Sequence, residues 1–450
     1  MELSALLDTG EVSPVELLEG FLSRCERINP QLNALVLIDR NGARVAAKAS
    51  EGRIRDGARR GVLDGLPITI KDNIYVAGLR ATWGSRLFAD FVPVDDDLPV
   101  ARLREAGAVI VGKTNTPEFA MLPVTENKLF GVTRNPWDTE LSPGGSSGGA
   151  VASVATGMVP LALATDAGGS IRRPASYAGV VGFRPSNGRV ARRHGFPAVA
   201  ADFQTIGPIA RSVADVAAVF SCIAGPNAEA RPSSGKAARI CYVASAGPGP
   251  IDAEIADSVK AAAKTFAELG HRVDEASAPY DPEEIDRIWS VLIGVGMRRV
   301  VESFDGWRAQ IDDSLAQAID RAASVSASDY AATLDRVSEL RRQFAGWISD
   351  FDAMLTPSSA ALPWPIERRY PAMIDGREAS PRAAAVFATF VNAVGHPAIS
   401  LPATPSRSGL PIGVQLVGRF GEDERILDLA AAFEAARPWR DRWPALTNLG

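Results

Sequence analysis

The chain has 450 residues, 46% of them hydrophobic and 22% charged, which is ordinary globular composition with enough apolar material for a large core. A formal net charge of −5 without a long basic run argues against a nucleic-acid partner. Cys25, Cys222 and Cys241 are too few and too scattered for a disulfide framework, and no CxxC pair offers a zinc site.

The opening residues lack the basic and apolar stretches of a signal peptide. No apolar run of about 18 residues suggests a membrane span. The expectation is therefore a cytoplasmic protein without a membrane partner.

Residues 1–60 read as helices. Ser13-Pro14 looks like an N-cap followed by proline at the first helical position, with Leu17, Leu18, Phe21 and Leu22 at helical spacing. The alanine-rich stretch 36–49 also reads as helical. Residues 66–70 form a short buried strand. Asp95-Asp96-Asp97 opens a helix over 98–106, favoured by the positive helix end, and 108–112 is a second strand. A helix at 151–156 follows a glycine-serine loop, and the strand 161–164 leads into another. Near 225–237 the composition turns to Gly, Pro, Ser and Ala, a loop before a strand at 240–243. Helical patterns dominate 252–350, and late strands fall at 399–401 and 412–417. This alternation predicts an α/β fold with a mixed or parallel sheet.

Two clusters carry chemistry. The first is Pro143-Gly144-Gly145-Ser146-Ser147-Gly148-Gly149. It matches GxSxG formally, but the polar, turn-like 135–140 stretch before it is no strand, so the nucleophile-elbow context fails. The lysine of a phosphate-binding loop is missing too. The second is Thr165-Asp166-Ala167-Gly168-Gly169-Ser170, directly after a strand. Its glycines permit unusual dihedrals and close approach of a ligand to backbone N–H groups. A serine after such a nest can attack a carbonyl while the nest holds the oxyanion. A tight turn before a helix would explain the glycines but not Ser170 with Arg172 and Arg173.

The base is the next question. The chain has three histidines, His194, His271 and His396, none close to either cluster in sequence. A Ser-His-Asp site would need one of them. Lys71, at the end of the 66–70 strand, could serve instead if buried and neutral. That requires roughly 3 units of perturbation from its usual pKa of about 10.4. The ordinary alternative is an exposed lysine at a strand end.

These segments together resemble the amidase signature family. The block from Gly144-Gly145-Ser146-Ser147-Gly148-Gly149 through Gly168-Gly169-Ser170-Ile171-Arg172-Arg173-Pro174 to Gly182-Phe183-Arg184-Pro185 is similar to its signature. Ile70-Lys71-Asp72-Asn73, Gly112-Lys113-Thr114-Asn115 and Gly413-Val414-Gln415-Leu416 agree. The likeness covers nearly the whole chain and is weakest at about 226–380.

The resemblance implies a single domain over 1–450, with N-terminal helices at about 1–60 and a variable, mostly helical, substrate-lining region at about 226–380. Its fold would be a mixed central sheet flanked by helices on both faces. It implies an amide hydrolase with Ser170 as nucleophile, Ser146 as bridging serine behind a cis peptide bond, and Lys71 as base. Backbone N–H groups of Ala167, Gly168, Gly169 and Ser170 would form the oxyanion hole. Thr165 would support the triad, and Asp166 with Arg172 would form an ion pair beneath the loop. Arg173 lies where some relatives bind a substrate carboxylate. Phe119 and Met121 are candidates for the apolar pocket wall. Ala167 departs from the threonine often found there, which a backbone role tolerates. No metal or cofactor is implied. The partner is a small-molecule amide, and a homodimer is left open. The alternative is the glutaminase subunit of a tRNA-dependent amidotransferase.

Overall fold

The computed structural model describes residues 1–225 and 237–448. The interior of the loop expected at 225–237 lies outside the described residues. Strands run in chain order as β1 (Leu35–Ile38), β2 (Pro67–Lys71), β3 (Val109–Thr114), β4 (Glu126–Asn127), β5 (Gly131–Val132), β6 (Leu161–Asp166), β7 (Val181–Arg184) and β8 (Thr205–Ala210). They continue as β9 (Arg239–Tyr242), β10 (Arg272–Glu275), β11 (Ala353–Pro357), β12 (Met373–Ile374), β13 (Arg377–Glu378), β14 (Ala398–Pro402) and β15 (Gly413–Gly418).

Eleven of these make one sheet in the order β1-β3-β2-β6-β8-β7-β14-β15-β11-β9-β10. It is mixed: β3, β2 and β6 run parallel, as do β11, β9 and β10, while the centre from β6 through β15 to β11 is antiparallel. Successive side chains on a strand point to opposite faces. In β6, Leu161 and Leu163 join one core cluster, with Ile68, Ile70, Val181 and Phe183. Ala162 and Ala164 join another, with Val109, Val111 and the helix Gly148–Ala155. Both faces of this strand are therefore covered, which is why β6 reads as a continuous apolar run rather than an alternation.

The expectation for residues 1–60 needs one correction. Helices do form at Glu2–Thr9, Pro14–Leu32 and Arg40–Arg55, and Ser13 makes a full capping box with Glu16. Residues 35–38, however, are the edge strand β1, paired antiparallel with β3. Asn33 in a left-handed conformation ends the preceding helix, and the Asp39 side chain caps the next one at Gly42 N–H. These two punctuation marks isolate Leu-Val-Leu-Ile, a run suited to a strand.

Asp97 caps the helix Leu98–Glu105, as its charge suggested. The 252–350 stretch holds long helices at Ala253–Glu268, Pro282–Val301 and Ala327–Ile348, interrupted by β10. No helix among the described residues is long and apolar enough to cross a membrane.

Candidate active site

The parallel register of β2 with β6 pairs Ile68 with Leu161 and Ile70 with Leu163. It brings the C-terminal residues of the two strands, Lys71 and Thr165-Asp166, to one edge. The loop ending at Ser147 starts the helix Gly148–Ala155, which packs back on β6. The loop after β6 starts the helix Arg172–Ala178. Both glycine-serine clusters are thus carried to the lysine by strand pairing and helix packing.

Lys71 is fully buried. Its Nζ lies 2.7 Å from Ser146 Oγ, 3.0 Å from Ser147 Oγ and 3.1 Å from Thr165 Oγ1. Asn73 Nδ2 donates to Thr165 Oγ1 at 2.9 Å, and Ser147 Oγ donates to the Thr165 carbonyl at 3.4 Å. The amine is caged by hydroxyls and makes no ion pair among the described residues. Burial lowers its pKa to about 7, against the opposing pull of the Asp166 charge. Lys113, the other buried lysine of this region, is held differently. It pairs with Asp72 at 3.6 Å and donates to the Ile74 carbonyl at 2.7 Å.

The peptide bond between Gly145 and Ser146 is cis. Ser146 and Ser147 are sealed, whereas Ser170 is 8% exposed and is the most accessible of the three. No hydrogen bond joins Ser170 to Ser146 among the described residues.

Asp166 organises the loop that carries Ser170. Its carboxylate accepts from Gly169 N–H at 2.8 Å, Ile171 N–H at 3.0 Å and Asn392 Nδ2 at 2.8 Å. Arg172 adds Nε at 3.1 Å and Nη2 at 2.9 Å. Burial alone would raise this carboxyl. The Arg172 charge and these donors outweigh burial and hold it well below the usual carboxylate range. Arg172 also reaches Gln415 Oε1 at 2.6 Å, Asn392 Oδ1 at 2.6 Å and the Ala388 carbonyl at 3.1 Å. The loop is thereby tied to β15 and to the helix Thr389–Val394.

One expected role changes. The Gly169 N–H is already spent on Asp166, so it is not free for an oxyanion. The N–H groups of Ala167, Gly168 and Ser170 have no partner among the described residues. Gly169 adopts φ 98°, and a Cβ there would crowd Ala388. Glycine is needed for both reasons.

Arg173 is 6% exposed. Its Nη2 donates to the Gly145 carbonyl at 3.3 Å, its Nε has no partner, and no carboxylate pairs with it among the described residues. Met121 is half-buried. Phe119 is only 1% exposed and packs edge-on against Trp83 at 5.4 Å, which leaves it no open face as a pocket wall.

The histidines stand apart. His194 faces Asp95 at 3.9 Å, His271 Nδ1 accepts from Ala238 N–H, and His396 Nδ1 contacts the Gly418 carbonyl.

Several contributors escaped the sequence reading. Ser147 stood inside a quoted motif with no assigned part. Asn73 and Gln415 lay in flanking segments, and Asn392 in none. Trp289, from the helix Pro282–Val301, lays its ring 2.8 Å from where a Gly168 Cβ would stand. A nearby guanidinium, Arg382, sits 5.0 Å over that ring. Nothing in the pattern of that helix separates Trp289 from its core-facing neighbours.

The chain is also similar to known proteins. The family model "Amidase" matches residues 16–427. The chain is 32% identical to an acylamidase of Rhodococcus erythropolis, covering 99% of this chain and 96% of that one. It is 33% identical to a glutamyl-tRNA(Gln) amidotransferase subunit of Symbiobacterium thermophilum, covering 100% and 98%. A solved bacterial aryl acylamidase of the amidase signature family superposes with a TM-score of 0.88 at 30% identity, covering 97% of this chain and 95% of that one.

Proposed function

The chain belongs to the amidase signature family and is a hydrolase of C–N amide bonds, and from that premise we propose that it works through an acyl-enzyme on Ser170. The carrying observation is the Lys71 amine, buried, without an ion-pair partner among the described residues, and surrounded by three hydroxyls. A neutral amine has two N–H groups and one lone pair. Ser147 directs its own proton at the Thr165 carbonyl, so it can accept from Lys71. Thr165 is the second acceptor, and Ser146, the nearest, is left facing the lone pair.

In this reading Lys71 takes a proton from Ser146 as Ser146 takes one from Ser170. The Ser170 oxygen attacks the amide carbonyl. The oxyanion forms against the free N–H groups of Ala167, Gly168 and Ser170. The relay then returns the proton to the leaving nitrogen, the C–N bond breaks, and water repeats the sequence on the ester. The substrate is a small organic amide. The Arg173 guanidinium, without a carboxylate partner among the described residues, favours an acyl group that carries an acid or another acceptor. Met121 is a candidate for the apolar wall.

A fluorophosphonate probe tests this reading. Peptide mass spectrometry should find the label on Ser170 and none on Ser170→Ala of unchanged melting temperature. A label on Ser146 would reverse the two serines. A second reading, the glutaminase subunit of a tRNA-dependent amidotransferase, draws on the 33% identity to such a protein. Glutaminase activity that appears only with a partner subunit would select it.

A further inference from the structure

We propose that a second cavity, at the far end of the helix Arg172–Ala178 from Ser170, binds a flat aromatic carboxylate. The cavity measures about 300 Å³ and shares no lining residue with the Lys71–Ser170 cluster. That volume is at the lower end of the roughly 300–1,000 Å³ range of small-molecule sites. It opens beside Gly179, the residue that caps this helix.

The walls present apolar surface. Trp137, Trp439 and Trp443 contribute three indoles, with Pro405 and Pro411 between them. Trp137 Nε1 donates to the Ala178 carbonyl at 2.8 Å and Trp439 Nε1 to the Arg211 carbonyl at 2.9 Å. Both donors are spent, so these rings offer a ligand carbon surface rather than polar edges. Flat rings suit such a box, because offset and edge-on aromatic contacts add to plain burial.

The charge at the box points to an anion. Arg442 lines the cavity, donates one nitrogen to the Ala403 carbonyl at 2.7 Å, and makes no ion pair among the described residues. Arg211 lies 3.5 Å over the Trp443 ring. It gives Nη2 to the Arg440 and Arg442 carbonyls, and its buried Nη1 has no partner among the described residues. Arg211 stands behind Trp443 rather than on the lining, so the charged lining residues are Arg442 and Asp441, and the Asp441 charge also acts on Arg211. Arg442 is the lining cation, and its guanidinium has no carboxylate partner among the described residues. A guanidinium pairs with a carboxylate through two parallel hydrogen bonds, which an isolated ring or an amine cannot supply.

Calorimetric titration of the full chain with 2-naphthoate and with the neutral 2-naphthylmethanol tests the proposal without requiring turnover. Naphthoate should bind at least tenfold more tightly than the alcohol. Arg442→Met should abolish that preference, and Trp137→Ala should weaken both ligands at least tenfold. Arg173→Met, at the catalytic cleft, should change neither. The proposal is overturned if naphthoate does not bind, if its preference survives Arg442→Met, or if Arg173→Met is the variant that removes it. Should Trp137→Ala fail to fold, the Arg442→Met and Arg173→Met pair still decides the matter.

Discussion

Two regions of this molecule use polar residues in opposite ways. Between residues 63 and 220 the polar side chains around Lys71 and Asp166 are buried and hydrogen-bonded. Lys71, Asp166 and Arg172 have no solvent exposure; Lys71 bonds to Thr165 and Arg172 to the neighbouring Asp166. In the helices from 282 to 348 the charged side chains pair in water. Arg298 with Glu302 is 40% and 51% exposed, and Arg308 with Asp320 is 59% and 50% exposed. A buried polar group left without its partner is costly, so few residue types fit each position of the first region. An exposed pair is worth little, so many types fit the second. The proposed chemistry lies where substitution is least tolerated, and the helices beside it lie where it is most tolerated.

The largest test of that contrast is Lys71→Arg. A guanidinium keeps its proton and cannot act as a base. We expect kcat/KM to fall roughly 10²–10⁴-fold, the share usual for a general base. In the parent protein kcat/KM should drop as pH falls through about 7, because the amine must be neutral. Stability should carry the same signature. The folded pKa lies below the unfolded value of about 10.4, so above pH 7 the unfolded chain binds the extra proton. The parent should therefore gain stability relative to Lys71→Met as pH rises from about 7 to about 10. An unchanged pH–rate profile in Lys71→Arg would remove lysine from the chemistry.

Next in size is Arg172→Met. It leaves the Asp166 carboxylate buried without its charge partner. Breaking a buried pair on one side costs about 3–5 kcal/mol. Urea unfolding should show a loss in that range, with activity lost in parallel because Asp166 shapes the Ser170 loop through Gly169 and Ile171. A loss below about 1 kcal/mol would mean that Asn392 and the backbone donors hold the carboxylate alone.

The same contrast explains what the sequence made legible. The two glycine-serine loops and Lys71 were readable because each combines an unusual backbone need with a reactive side chain. Their junction was not written in any one segment. It depends on β2 lying beside β6 in a sheet whose neighbours are far apart in sequence. Gly169 was named as an oxyanion donor from the resemblance, which says nothing of local partners, whereas its N–H bonds to Asp166 three residues earlier. The strand β1 was missed because residues 36–38 open the alanine-rich stretch that reads as helical. Trp289 was invisible for a different reason. Any large apolar residue on that helix would look like core, and only the folded chain shows it against Gly168.

The smallest expected effect tests the tolerant side of the comparison. Arg336 on the helix Ala327–Ile348 meets Glu284 on the helix Pro282–Val301 in a two-pronged pair, Nε to Oε1 at 2.5 Å and Nη2 to Oε2 at 2.9 Å. The geometry is good, but the side chains are 33% and 22% exposed, so water and salt screen them. A double-mutant cycle of Arg336→Met and Glu284→Gln should give a coupling of about 0.2–1 kcal/mol, shrinking in high salt. Catalysis should be unchanged, because Trp289, five residues along the same helix from Glu284, is held by Arg382 above its ring and by Phe203 at 6.5 Å. A coupling above about 2 kcal/mol, or a fall in kcat without a fall in stability, would show that this helix is positioned by its charges. The division between a strict polar core and a tolerant polar surface would then fail at the point where the surface helix meets the site.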